Sequence, residues 1–156
     1  MARQALVLDA SIGVKWFSAK DEGSLAQALA IRDAHIAGDA FIIVPELFYY
    51  EVTNAIVHKQ SIPLASVQAA SASMFGLGME AVALDAGLLE TSVKLSRELG
   101  ITIYDSCYLA LAQKVACPLV TANPRHQKKV PGCDIIPIER WRLEKRWMKS
   151  NRYEAT

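Results

Sequence analysis

Short apolar runs alternate with longer stretches of helical periodicity along this chain of 156 residues. The apolar runs predict strands at about residues 5–8, 41–44, 81–84, 118–121 and 134–138. Because the runs are too short for helices and are separated by helix-length segments, the pattern predicts a mostly parallel sheet covered by helices. The chain is long enough for one hydrophobic core and too short for two, so a single α/β domain over residues 1–156 is expected.

Helices are predicted in the intervals between the strands. Gly38 should end one of them, because glycine accepts the left-handed conformation past a carboxyl terminus. Pro45 suits the first turn of another, where no amide donor is needed. Asp85 is placed to cap a further helix that Gly100 would end. Besides the helix between Asp85 and Gly100, the predicted helical intervals are residues 10–19, 24–37, 46–59, 63–77 and 104–115.

Charge is distributed unevenly, although the formal net charge is only +1. Through residue 122 the chain has twelve acids and eight Lys or Arg, whereas from residue 123 onward nine Lys or Arg accompany four acids. Residues 139–152 are predicted to form a basic amphipathic helix whose apolar contacts are Trp141, Leu143 and Trp147. A basic end suits a polyanionic partner, and a solvated basic helix is the alternative explanation.

Several protein classes are disfavoured by the sequence. No amino-terminal segment resembles a secretory signal, so a cytoplasmic chain is expected. Residues 60–79 carry no charge, but Pro63 and several Ser and Gln residues make them unsuitable for a membrane span. Cys107, Cys117 and Cys133 lack paired spacing, which indicates buried thiols rather than disulfides or a zinc site.

Three acids stand in unusually apolar surroundings. Asp9 directly follows the first predicted strand, Glu51 lies within a predicted helix, and Asp105 opens the helical stretch at 104–115. A carboxylate among core residues is costly unless it is compensated, and a shared divalent cation can hold several together. Each has a simpler explanation: Asp9 and Asp105 suit helix caps, and Glu51 suits an exposed helical position.

Four segments together resemble the PIN-domain proteins, especially VapC-like toxins. The segments are LVLDAS (6–11), PELFYYEVTNA (45–55), YDSCYLALA (104–112) and PLVTAN (118–123). Their order and spacing match the family over nearly the whole chain up to residue 138.

This resemblance implies a three-layer α/β/α sandwich and an endoribonuclease that uses Mg²⁺ or Mn²⁺. By matching position, its acidic ligands would be Asp9, Glu51 and Asp105, with Ser11 and Thr121 as supporting hydroxyls. It also implies a small antitoxin protein as a partner, and a homodimer. Apolar helical residues would supply the dimer face; the candidates are Val67, Met74 and Phe75.

The sequence departs from the family at one site position. Most relatives carry a fourth acid after Thr-Ala, where this chain has Asn123. An asparagine still offers a carbonyl oxygen as a fourth ligand, but it removes one negative charge from the site. Weaker metal binding is therefore expected. A degenerate PIN domain that binds RNA or a protein without cleavage is the alternative function.

Other side chains are interpreted by type and spacing. RNA phosphates would be contacted by cations, with Lys15, Arg125, His126, Lys128 and Lys129 as candidates. The tyrosines at 49, 50, 104 and 108 have helical spacing, which favours packing over base stacking. His35 and His58 lack a second histidine at metal-ligand spacing, so structural roles are expected.

A third class is a phosphotransfer domain of similar layering. A haloacid-dehalogenase-like enzyme would have an acid two residues after Asp9, where this chain has Ser11. A receiver-like domain would have a lysine where this chain has Asn123. Both comparisons disfavour that class.

Overall fold

One sheet carries the fold in this computed structural model, which describes residues 3–17, 23–123 and 130–144. Its strands are β1 (Gln4–Leu8), β2 (Ala40–Pro45), β3 (Glu80–Val82), β4 (Leu119–Thr121) and β5 (Ile135–Pro137). The order across the sheet is β3-β2-β1-β4-β5, and every neighbouring pair is parallel. The predicted parallel sheet is confirmed, with strand ends shifted by a few residues.

Helices flank the sheet in two groups. Their bounds are α1 (Ala10–Phe17), α2 (Leu25–Ala37), α3 (Leu47–Val57), α4 (Leu64–Gly76), α5 (Ala86–Leu99) and α6 (Ile103–Val115). Helix α1 packs against α2 and α3, and α3 packs against α4. Helix α5 packs against α6, which also contacts β1 and β2. The expected three-layer α/β/α sandwich is confirmed.

The centre of the sheet is covered on both faces. Leu6, Val7 and Leu8 of β1 are fully buried, as are Leu119 and Val120 of β4. Burial on both faces explains why these strands are apolar runs without alternation. The carboxyl ends of β1 and β4 consequently emerge side by side from the core.

Helices α1 and α3 approach each other closely at Gly13. A Cβ atom at this position would lie 2.5 Å from Cζ of Phe48 and 2.8 Å from Cγ2 of Val52. Any side chain larger than a hydrogen would therefore push the helices apart. The contact matters for the site because α1 follows Asp9 directly and α3 carries Glu51.

Local signals set several helix ends as predicted. Gly38 ends α2 with a left-handed φ of 82°, and the Asp85 side chain caps α5 by accepting the N–H of Leu88 at 2.7 Å. His35 is buried, with Nε2 2.9 Å from the carbonyl oxygen of Leu77 and Nδ1 accepting the N–H of Ile42 at 3.3 Å. Its expected structural role is confirmed.

The helix predicted at 139–152 is wrong over its described part. Ile138–Arg140 forms a 3-10 turn, and residues 141–144 have no regular structure. The Gln4 side chain explains this path, because it donates to the carbonyl of Arg142 at 3.3 Å and accepts the N–H of Glu144 at 3.0 Å. These backbone groups are thereby tied to the start of β1. Residues 145–152 lie outside the described part of the chain.

Two further expectations concern membranes and cysteines. In the three described ranges, no helix combines the length and apolar character needed to cross a bilayer. Cys107, Cys117 and Cys133 are all free thiols. Cys107 is buried as predicted, whereas the other two are only half-buried.

Candidate functional site

The candidate site lies at the carboxyl ends of β1 and β4, where the strand order of the sheet reverses. Asp9 directly follows β1, and Thr121 ends the neighbouring strand β4. The backbone N–H of Asp9 donates to the carbonyl oxygen of Val120 at 3.0 Å, which continues the pairing of the strands. In open parallel sheets such a crevice at the carboxyl ends is the usual binding position.

Asp9 is fixed by hydroxyl groups. Thr121 Oγ1 donates to Asp9 Oδ2 at 3.1 Å, Ser11 Oγ donates to the same oxygen, and the N–H of Ser11 lies 3.3 Å from it. Asp9 is 8% exposed. Since Asp9 stands immediately before α1 and accepts a helical N–H, it has the capping role considered above as well as its place in the site.

The two supporting hydroxyls also hold the turn after β4. Ser11 Oγ accepts the N–H of Ala122 at 3.0 Å, and Thr121 Oγ1 accepts the N–H of Asn123 at 3.0 Å. Asn123 is half-buried beside Asp9's hydroxyl partners. Its side-chain amide makes no hydrogen bond with the residues that the structure describes.

Glu51 and Asp105 approach the site from α3 and α6. Both are half-buried. The hydroxyl of Tyr108 donates to Glu51 Oε2 at 2.5 Å. Thr102 Oγ1 donates to Asp105 Oδ2 at 2.8 Å and accepts the N–H of Asp105 at 3.0 Å, so Thr102 caps α6 while it binds the carboxylate.

The three acids interact electrostatically. Burial raises the pKa of Asp9, hydrogen bonds from Ser11 and Thr121 oppose the shift, and the charge of Asp105 adds to it. Burial also raises the pKa of Glu51, the Tyr108 hydroxyl opposes it, and the charges of Asp9 and Asp105 add to it. Asp9, Glu51 and Asp105 therefore lie near enough to one another to form one region of negative charge.

The donor set suits a hard cation, although the acids do not form a tight cluster. Over residues 3–17, 23–123 and 130–144, no three His, Cys, Asp or Glu side chains stand close enough to hold one ion together. Mg²⁺ keeps several waters and needs only one or two protein carboxylates, which tolerates such spacing. Asp9 leaves Oδ1 without a hydrogen bond from described residues, so a hard oxygen ligand is available there.

Of the predicted RNA contacts, Lys15 is the one that the structure describes. Lys15 is 9% exposed on α1 and is not without an interaction partner. Such burial is unusual for a phosphate contact on an open surface. Arg125, His126, Lys128 and Lys129 lie outside the described residues.

Two site residues were missed or misassigned from the sequence. Tyr108 was expected only to pack; it is 1% exposed and also donates to Glu51. Thr102 was not considered, although Thr102 and Asp105 have the spacing of a helix capping box. The packing assignment is wrong for Tyr50 and Tyr104, which are 76% and 58% exposed.

Sequence comparison identifies the family. A family model described as "PIN domain" matches residues 6–132. A comparison with curated proteins gives no significant match.

Solved structures resemble this fold over most of its length. VapBC2 from Rickettsia felis, bound to a DNA fragment from their promoter, matches with a TM-score of 0.64 and 18% identity over 88% of this chain and 99% of that chain. PAE2754 from Pyrobaculum aerophilum matches with a TM-score of 0.60 and 22% identity over 96% of each chain. VapBC-5 from Mycobacterium tuberculosis, of the VapBC family of toxin-antitoxin systems, gives a TM-score of 0.54 and 19% identity over 86% of this chain and 98% of that chain. With the family model covering most of the sequence and the same fold in these structures, the chain belongs to the PIN-domain family.

Proposed function

We propose that this protein is a metal-dependent endoribonuclease and the toxin of a toxin-antitoxin pair. The observation that carries the proposal is the placement of Asp9, Glu51 and Asp105 at the carboxyl edge of a parallel sheet, buried or half-buried and each held through one oxygen by hydroxyl groups. Such a concentration of negative charge is unfavourable by itself and becomes favourable when it holds a cation.

The acids would act as ligands and not as nucleophiles. One or two of the carboxylates of Asp9, Glu51 and Asp105 would bind Mg²⁺ or Mn²⁺ directly and the rest through bound water, with the side-chain oxygen of Asn123 as a neutral addition. When bound, the ion supplies a water of lowered pKa and offsets charge on the scissile phosphate. Ser11 and Thr121 keep Asp9 in one orientation, and burial keeps bulk water from one side of that carboxylate.

The substrate is proposed to be single-stranded or looped RNA, whose bases are accessible for recognition. Lys15 and the basic residues Arg125, Lys128 and Lys129 are proposed phosphate contacts. An enzyme with this substrate and an antitoxin would act in the cytoplasm.

The protein partners are proposed to be a small antitoxin and a second copy of the chain. Val67 and Met74 cannot form the predicted dimer face, because they are buried in the chain's own core, whereas Phe75 is 68% exposed and stays available for it. A better candidate is the apolar cleft beside the acids, which has a volume of about 310 Å³. Its exposed side chains are Tyr50, Leu84, Leu89 and Tyr104. Exposed apolar patches of this kind usually mark a protein interface.

The Asp105→Asn variant tests the enzymatic proposal. It keeps the size of the side chain and an oxygen for Thr102, so the fold should persist while RNA cleavage in Mn²⁺ falls at least about 100-fold. The matched control is Asp33→Asn, since Asp33 is an exposed acid on α2 that pairs with Arg32. Cleavage by Asp105→Asn at the wild-type rate would contradict the proposal.

Asn123 favours a second candidate, a PIN domain that binds RNA or a protein partner without cleaving RNA. The missing charge weakens the hold on a cation. For this function we expect the wild type to bind RNA and to give no cleavage products at any Mn²⁺ concentration. The wild type and Asp105→Asn should then give the same result in the cleavage assay.

A further inference from the structure

Tyr108 is the largest fully buried side chain of the described residues, yet its polar end lies in the acidic site. Its hydroxyl donates to Glu51 Oε2 over 2.5 Å, and the two residues are 57 positions apart in the sequence. Burial raises the pKa of this phenol, with the charge of Glu51 adding to the shift, so the hydroxyl keeps its proton and acts as a donor.

The position of Tyr108 follows from the geometry of α6. Asp105 and Tyr108 are three residues apart, and residues at this spacing share one face of a helix. One face of α6 therefore brings a carboxylate to the site and, one turn later, a donor for the carboxylate of α3. The hydrogen bond links the two helices directly at the acids.

Each acid in the site is held by hydroxyls through a single oxygen. The oxygens that accept are Asp9 Oδ2, Glu51 Oε2 and Asp105 Oδ2. Within the described residues, the second oxygen of each carboxylate accepts no hydrogen bond. This arrangement fixes the orientation of each carboxylate and leaves one oxygen available for an outside ligand.

We propose that Tyr108 is a positioning residue that orients Glu51 for metal binding, and that Thr102 has the same role for Asp105. The inference rests on the proposed metal dependence and adds residues that do not touch the ion. A free glutamate side chain must lose rotamer freedom when it binds an ion, so fixing Glu51 beforehand lowers the cost of binding. Loss of a hydrogen bond to a metal ligand from a residue that does not touch the ion commonly changes metal affinity by about 10- to 100-fold.

A purely structural role for Tyr108 makes a different prediction. A buried tyrosine hydroxyl usually needs an acceptor, and Glu51 could serve only to satisfy it. In that case removal of the hydroxyl would change the thermal stability of the protein and leave metal affinity unaltered. Metal affinity measured separately from stability distinguishes the two roles.

The experiment compares Tyr108→Phe with the wild type by calorimetric titration with Mn²⁺ alone, alongside thermal melts in EDTA. Tyr49→Phe is the matched control: Tyr49 stacks on Phe75 with ring centroids 4.4 Å apart, and its hydroxyl makes no hydrogen bond within the described residues. We expect Mn²⁺ affinity about tenfold weaker in Tyr108→Phe and unchanged in Tyr49→Phe.

Thr102 provides an independent variant if Tyr108→Phe folds poorly. Thr102→Val should weaken Mn²⁺ binding, and Thr102→Ser, which restores a hydroxyl, should recover it. Unchanged Mn²⁺ affinity in Tyr108→Phe, or in Thr102→Val where that variant replaces it, overturns the inference even if stability falls. A wild type that binds no Mn²⁺ overturns the proposed metal dependence as well, so the two failures are distinguishable.

Discussion

Asp9 accepts its hydrogen bonds from neutral donors. A lysine or arginine partner would neutralise this carboxylate, whereas Ser11 and Thr121 orient it and leave its charge in place. Burial therefore raises the pKa of Asp9 in spite of these bonds. The hydroxyl partners of Glu51 and Asp105 have the same property. Hydroxyl partners therefore hold the acids in position and leave their negative charge available to a cation.

At Asn123 the candidate site has a neutral amide in place of a fourth carboxylate. The backbone N–H of Asn123 donates to Thr121 Oγ1, which itself donates to Asp9. The main chain at residue 123 is thus tied to the site. The amide side chain is the difference between this chain and a site with four acids.

The Asn123→Asp variant should bind Mn²⁺ more tightly, because it adds a negative charge next to three acids, and the cation is attracted to each of these charges. We expect roughly fivefold tighter binding, corresponding to about 1 kcal/mol in a half-exposed site. Calorimetric titration measures the affinity, and RNA cleavage at limiting Mn²⁺ should rise with it. Gln60→Glu adds the same charge at an exposed position and serves as the control. Equal Mn²⁺ affinity in Asn123→Asp and wild type would mean that residue 123 does not face the metal.

At the scale of elements, Asp85 joins two helices. Its carboxylate caps α5 and also pairs with Lys114 of α6, with Nζ 2.7 Å from Oδ2. The hydrogen bond from Lys114 lowers the pKa of Asp85, and the bond from Leu88 N–H adds to this. Because the folded state favours the ionised form, Asp85 contributes stability above its ordinary pKa of 3.8, and this contribution is lost as the pH falls through the lowered value.

Asp85→Ala should therefore lower the melting temperature at pH 7 by roughly a few degrees, with a smaller difference from wild type near pH 3. Asp85→Asn keeps a capping side chain and loses the charge, so its melting temperature at pH 7 should lie between those of Asp85→Ala and the wild type. Thermal melts across this pH range measure the difference. A gap between Asp85→Ala and wild type that is equally large at pH 3 would show that the charge of Asp85 contributes nothing.

Helix ends and strand positions were largely predictable because their causes are local. Gly38 and Asp85 act on the turns next to them, and the buried strands are apolar along their length. The placement of Pro45 in the first turn of a helix is wrong, because Pro45 ends β2 and α3 begins at Leu47. The segment after Ile138 was not predictable in this way. Its amphipathic pattern suited a helix, but the side chain of Gln4, far away in sequence, binds its backbone and redirects it.

At the scale of the whole molecule, the apolar cleft exposes several large apolar side chains on the surface of the described chain. Leu84 is 59% exposed and Leu89 is 43% exposed. Exposed leucines next to the candidate site favour an interface with another chain. A second copy would bring the same face twice, as in a C2 dimer.

Leu89→Glu should convert the proposed dimer into a monomer, because it places a charge in the centre of an apolar interface. Sedimentation equilibrium over a range of concentrations measures the change. Ile36→Glu, at a 63% exposed position on α2, is the control for added surface charge. A Leu89→Glu protein with the same association constant as wild type would exclude this cleft as the dimer face.

The sequence by itself determined the parallel sheet, the sequence of helices and the acids that gather at its edge. These follow from periodicity, from residues that act within one turn, and from the rule that parallel strands end at a common edge. It also pointed to the family, through four segments whose order is a property of the sequence alone.

Only the tertiary structure decided what holds each acid and which apolar side chains remain exposed. Tyr108 and Glu51 meet because α6 and α3 both pack against β2, and no local pattern encodes a contact between residues 57 positions apart. For the same reason Val67 is buried while Tyr50 is exposed. Helical spacing says which residues share a face, whereas packing in three dimensions decides whether that face meets the core, another chain or water.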